Sequence, residues 1–215
     1  MGTVILSSSG FRTPQLQKYL LELLPKPPQQ LRVVHIITAS KVSPDKSFVD
    51  RERVVLRDLG FQVEEVDIEG RSSGDLTKIL VGRDIVYIQG GNTFYLLKHV
   101  RESGFDIVIK DLIKKGVIYI GVSAGSYIAC PTIEMATWKS SSDDHFGVAN
   151  LTGMSLVPFL VCVHYNREKY REGLQEGIKM SKYPVRILTD EQALLIADGK
   201  VKLIGTGEEI KIPLR

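Results

Sequence analysis

The chain has 215 residues, 43% of them hydrophobic and 25% charged, with a formal net charge of +3. That size and balance predict one globular domain over 1–215 and exclude a disordered chain. Lysines and arginines are interleaved with acidic residues, so no basic tract marks a nucleic-acid surface. No apolar run reaches the length of a membrane span, and the start of the chain lacks the pattern of a secretory leader. A cytoplasmic protein with neither nucleic acid nor membrane as partner is expected. Cys130 and Cys162 both sit among apolar residues and read as buried thiols.

Short apolar runs alternate with helical patterns along the first two thirds of the chain. Residues 3–6 read as a strand, followed by a Ser7-Ser8-Ser9-Gly10 turn. Residues 15–24 carry leucines at helical spacing, and the prolines at 25, 27 and 28 stop that helix. Strands are predicted at 32–38, 61–68 and 84–88, with a helix at 45–59 capped by Gly60 and a short helix starting at Ser73 or Asp75. Helices at 94–100 and 106–115 lead to a strand at 117–120. This alternation predicts an α/β fold with a mostly parallel sheet covered on both faces. Residues 134–150 are polar and read as irregular chain with a short hairpin. A strand at 156–163 and a helix at 168–179 follow. The runs 185–189, 193–197 and 201–204 read as a C-terminal antiparallel addition, with Asp198-Gly199 as a tight turn between the last two.

The strand at 117–120 runs into Gly121-Val122-Ser123-Ala124-Gly125 and then a helix start. Strand, Gly-x-Ser-x-Gly and helix is the context of a nucleophile elbow. A sharp turn there holds the serine in a strained conformation with its hydroxyl exposed above the sheet. Glycines on either side let strand and helix approach closely. The Ala124 amide is then placed to serve as one oxyanion donor. A second donor is expected from a neighbouring strand-end turn, for which Gly90 and Gly91 are the natural source.

A serine nucleophile needs a base and an acceptor that orients it. Of the four histidines, His35 lies inside a strand and reads as core, and His99 sits on a helix beside charged residues and reads as exposed. His145 lies in the polar 134–150 stretch, where Asp143, Asp144 and His145 are too close in sequence to make a convincing metal site. His164 ends the 156–163 strand and is expected at the same rim as Ser123. Glu134, Asp143, Asp144, Asp190 and Glu191 are the candidate acceptors, and spacing does not choose among them.

Three stretches together resemble a known family: residues 87–97 (Tyr-Ile-Gln-Gly-Gly-Asn-Thr-Phe-Tyr-Leu-Leu), the Ser123 turn through Cys130-Pro131-Thr132, and the apolar strand into His164. They resemble the peptidase E (α-aspartyl dipeptidase) family of serine peptidases. The resemblance implies a fold like the class I glutamine amidotransferases and a Ser-His-Glu triad in that chain order. It assigns Ser123 as nucleophile, His164 as base and Glu191 as the orienting acid, with Gly91 and Ala124 as oxyanion donors. Arg167 matches the basic residue expected at the substrate side chain, and Asn92 is a second candidate substrate contact. Trp138 stands where the dipeptidases have an aspartate.

The expected function is hydrolysis of short peptides, including dipeptides with N-terminal Asp, through an acyl-enzyme and with no metal or organic cofactor. A hydrolase or acyl transferase acting on another amide or ester, and an inactive ligand-binding relative, are the alternatives. The expected partner is a small peptide substrate, and both a monomer and a homodimer fit.

Overall fold

The computed structural model describes residues 2–139 and 144–212. In chain order the strands are β1 (Val4–Ser7), β2 (Arg32–Ile36), β3 (Gln62–Val66), β4 (Ile85–Ile88), β5 (Ile118–Val122), β6 (Leu160–Cys162), β7 (Val185–Ile187), β8 (Gln192–Ala197) and β9 (Lys200–Gly205). The helices are α1 (Pro14–Glu22), α2 (Ser47–Asp58), α3 (Ser73–Leu80), α4 (Thr93–Ser103), α5 (Phe105–Lys114), α6 (Ala124–Ile128) and α7 (Glu168–Met180). Seven strands form one sheet in the order β3-β2-β4-β5-β1-β8-β9. The first five are parallel, and β8 and β9 add an antiparallel pair at one side. The predicted α/β sheet with its antiparallel addition is therefore present.

Strand alternation sorts the core onto two faces. Val4, Leu6, Val34, Ile36, Val86, Ile88 and Tyr119 point to the side covered by α3, α4, α5 and α6. Ile5, Val33, Ile85, Tyr87, Ile118 and Ile120 point to the side where Leu16 and Leu20 of α1 and Leu56 of α2 pack. Parallel strands buried on both faces are apolar at nearly every position, which is why their runs stand out in the sequence. Among the described residues, no helix is long and apolar enough to cross a membrane.

The register sets the functional rim. Ser7, the last residue of β1, lies opposite Val122 of β5 on one side and Ala193 of β8 on the other. Because β8 is antiparallel to β1, the residues just before β8 lie at the same end as the residues just after β1 and β5. Three chain segments far apart in sequence thus meet: 7–10, 121–125 and 189–192.

Two expectations about the C-terminal third are corrected. The strand leading to His164 is shorter than 156–163 and does not join the main sheet. It pairs in parallel with β7 as a separate two-stranded sheet. The β7 run is accordingly not part of the antiparallel addition. The neighbours of β1 are already β5 and β8, so β6 finds its backbone partner in β7, and Leu174 and Ile178 of α7 cover the pair together with Cys162 and Ile187. The β8–β9 turn is as read: Asp198 and Gly199 have φ of 49° and 72°, the left-handed pair of a tight hairpin.

Candidate active site

Ser123 sits between β5 and α6 with φ 49° and ψ −102°, a backbone conformation that non-glycine residues rarely adopt. The flanking glycines make that turn sterically possible. A Cβ on Gly121 would lie 2.5 Å from the Gly125 carbonyl oxygen, and one on Gly125 would lie 2.5 Å from the Ile88 carbonyl oxygen. The turn is also held by hydrogen bonds. The Ser7 carbonyl accepts from the Ser123 N–H at 3.0 Å and from Ser126 Oγ at 2.8 Å, and Tyr119 donates its phenol to the Gly125 carbonyl at 2.6 Å.

His164 lies two residues beyond β6, also in a left-handed conformation, with φ 62°. Its Nε2 is 2.9 Å from Ser123 Oγ, and its Nδ1 is 2.5 Å from Asp190 Oδ1. The carboxylate on the imidazole is therefore Asp190 and not Glu191, which corrects the expected acid. The reason is local. Residues 189–192 form a turn closed by Gln192 N–H to the Thr189 carbonyl, and this turn directs the two acidic side chains differently. Asp190 faces His164. Glu191 is exposed, with its carboxylate accepting from Thr206 Oγ1 at 2.7 Å beside β9.

Asp190 has further partners. Arg167 Nε donates to Oδ2 at 2.8 Å, and Ser8 Oγ donates to Oδ1 at 2.8 Å. Burial opposes ionisation of Asp190, but the hydrogen bonds from His164, Arg167 and Ser8 outweigh it and hold the carboxyl well below the usual carboxylate range. Burial pushes the His164 imidazole down to about 4, assisted by the positive charges of Lys139 and Arg167 and opposed by Asp190. At neutral pH His164 is uncharged. An ionised Asp190 on Nδ1 favours the tautomer with its proton there, leaving Nε2 free to accept from Ser123. Arg167, expected as a substrate contact, thus has one guanidinium nitrogen committed to Asp190 while still lining the cleft.

The cleft above Ser123 has a volume of about 960 Å³. Ser123, His164, Arg167, Gly90, Gly91 and Asn92 line it on one side, and Phe48, Arg51, Glu52 and Val55 of α2 line it on the other. A Cβ on Gly90 would lie 3.2 Å from Ser123 Cβ, so the β4–α4 turn runs directly beside the serine. Ala124 opens α6, ahead of the first bonds of that helix, which run from the Ser126 and Tyr127 N–H groups to the Ser123 carbonyl. Asn92 caps α4 by accepting from the Tyr95 N–H at 2.8 Å, and its amide donates to the Asp144 carbonyl at 3.1 Å. Glu52 is buried at the cleft wall, where it accepts from the Tyr87 phenol and from the Phe11 N–H.

Of the histidines only His164 lines the cleft among the described residues. His35 is core, with Nε2 2.7 Å from Gln89 Oε1. His99 is buried at 5% exposure, contrary to the exposed position expected of it: its ring meets that of Tyr95, one turn earlier on the same helix, with centroids 4.5 Å apart, and the Glu69 and Glu102 carboxylates flank it. His145 stacks on Phe94 with ring centroids 3.9 Å apart. Of the remaining acid candidates, Glu134 accepts from Ser181 Oγ and Asp144 accepts from the Phe146 N–H, while Asp143 lies outside the described residues. Trp138 packs onto α7, whose Gly177 leaves room for the indole.

The chain is similar to known peptidases. Residues 3–204 match the model of peptidase family S51. An uncharacterized peptidase of Listeria monocytogenes is 33% identical over 174 residues, covering 79% of this chain and 83% of that protein. A peptidase E of Shigella flexneri is 29% identical over 209 residues, covering 97% of this chain and 84% of its own. Among solved structures, a candidate peptidase E protein from Listeria monocytogenes superposes with a TM-score of 0.86 at 30% identity, covering 96% of this chain and all of its own.

Proposed function

The chain belongs to peptidase family S51, and on that premise we propose that it is a serine peptidase hydrolysing short peptides with Ser123 as nucleophile, His164 as base and Asp190 as the orienting acid. The observation that carries this reading is the continuous contact from Ser123 Oγ to His164 Nε2 at 2.9 Å and from His164 Nδ1 to Asp190 Oδ1 at 2.5 Å, on a strained turn at the floor of an open cleft.

In this mechanism Ser123 Oγ attacks the scissile carbonyl carbon while its proton passes to His164 Nε2. The main-chain amides of Gly91 and Ala124 stabilise the oxyanion, a contribution of about 3 kcal/mol per donor. The imidazolium then protonates the leaving amine, the peptide C–N bond breaks, and an acyl-enzyme remains on Ser123. Water, deprotonated by the same imidazole, releases the acid and restores the serine. Asn92 and Arg167 at the cleft wall contact the substrate. The guanidinium favours an acidic side chain, so dipeptides with N-terminal Asp head the substrate set. A dipeptide library assayed with the wild-type protein and with Ser123→Ala tests the reading. Hydrolysis by the wild type that falls at least about 10³-fold in the variant supports it, and undiminished hydrolysis by Ser123→Ala refutes it.

A further inference from the structure

The Ser7-Ser8-Ser9-Gly10 turn reads in the sequence as no more than the end of β1, yet it ties the whole rim together. Ser7 binds the Ser123 turn through its carbonyl, and its hydroxyl accepts from the N–H groups of Ser9 and Gly10 at 3.3 and 2.9 Å. Ser9 Oγ donates to the Asp190 carbonyl. Ser8 is fully buried, and its Oγ touches three groups at once: it accepts from the His164 main-chain N–H at 3.0 Å, donates to Asp190 Oδ1 at 2.8 Å and lies 3.1 Å from His164 Nδ1.

We propose that Ser8 is a positioning residue for the proposed reaction, its single hydroxyl fixing both the left-handed backbone at His164 and the Asp190 carboxylate that holds the imidazole. The inference rests on the reading of Ser123, His164 and Asp190 as the catalytic groups. Its physical basis is the geometry of one hydroxyl. With His164 Nδ1–H directed at Asp190, the Ser8 proton has Asp190 Oδ1 as its acceptor, and the Ser8 lone pairs face the His164 N–H. The loop carrying His164 belongs to the small β6–β7 sheet, which shares no backbone ladder with β5. Ser8 supplies a direct hydrogen-bonded link between that loop and β1, the strand neighbouring the serine turn.

Removing the hydroxyl has two separable effects. The imidazole loses alignment, so acylation slows. Asp190 also loses a donor, its charge is less compensated, and it holds a proton on the imidazole more strongly. Asp190, Arg167 and Lys139 are the charged groups that set the His164 titration. With Arg167 and Lys139 left in place, the His164 midpoint moves upward.

The test uses Ser8→Ala and the near-isosteric, weakly donating Ser8→Cys, with folding checked by circular dichroism. Two readouts are taken: the rate of labelling by a serine-reactive phosphonate as a function of pH, and the His164 ring titration followed by NMR. Expected are labelling about tenfold slower, the worth of one hydrogen bond to a charged group, and a His164 midpoint raised by about half a unit or more. Wild-type rate and midpoint in either folded variant overturn the proposal. Slower labelling with an unmoved midpoint also overturns it, since general loosening of the rim leaves the proton equilibrium where it was. If the wild-type protein takes no label, the peptidase reading itself fails, and the NMR titration still decides whether Ser8 acts on His164.

Discussion

The Asp190 side chain receives hydrogen bonds from three different segments of the chain, at Ser8, His164 and Arg167. Such a carboxylate is held ionised well below neutral pH, and it favours the imidazole tautomer that a serine nucleophile needs. Asp190→Asn replaces an acceptor with a group that can present an N–H to Nδ1, which favours the wrong tautomer. Its turnover on the best dipeptide is expected to fall by about 10³- to 10⁴-fold. Glu191→Gln, whose carboxylate faces Thr206, is expected to stay within about twofold of wild type. Steady-state kinetics on the pair checks the assignment, and the reverse order of effects would return the acid to Glu191. The sequence makes Ser123 and His164 legible because each ends an apolar run. It leaves Asp190 and Glu191 as neighbours, since which of two adjacent acids faces inward depends on the closure of the 189–192 turn. Ser8 is not legible because its role depends on β8 pairing beside β1, a contact across almost the whole chain.

At the scale of elements, the β5–α6 turn is built on close approach. A Cβ added at Gly125 would lie 2.5 Å from the Ile88 carbonyl oxygen of β4, a backbone atom that no side-chain rotation can move aside. Gly125→Ala is expected to destabilise the fold by about 1–3 kcal/mol, read as a lower denaturant midpoint. It is also expected to abolish labelling of Ser123, because relieving the clash lifts α6 and the Ala124 amide away from the serine. An unchanged midpoint would show that the turn has slack that the geometry denies. The parallel strands and their helices are readable from the sequence because burial on both faces leaves continuous apolar runs bounded by glycine and proline. The pairing of β6 with β7 is not, because three-residue strands carry no alternation from which a partner can be inferred.

For the whole molecule, the buried ionisable groups predict how stability varies with pH. Burial lowers His164 from its ordinary 6.5 to about 4 and also lowers His35, so between those values the unfolded chain binds more protons than the folded one. Stability therefore falls as pH drops from 6.5 towards 4. Asp190, held down by its donors, extends that loss to more acid conditions, while buried Glu52, raised by desolvation, acts in the opposite sense. Urea midpoints are expected to be clearly lower at pH 4.5 than at pH 7, with part of that slope removed in His164→Gln. Equal midpoints would contradict buried neutral imidazoles. The same burial sets the chemistry: a cleft of about 960 Å³ opens onto Ser123, and the imidazole beside it is kept uncharged.

The most direct measurement of that central claim is intact mass after incubation at neutral pH with a small serine-reactive phosphonate, comparing wild type with Ser123→Ala and His164→Ala. One adduct is expected on the wild-type chain and none on either variant. No adduct on the wild type, or an equal adduct on Ser123→Ala, would contradict it.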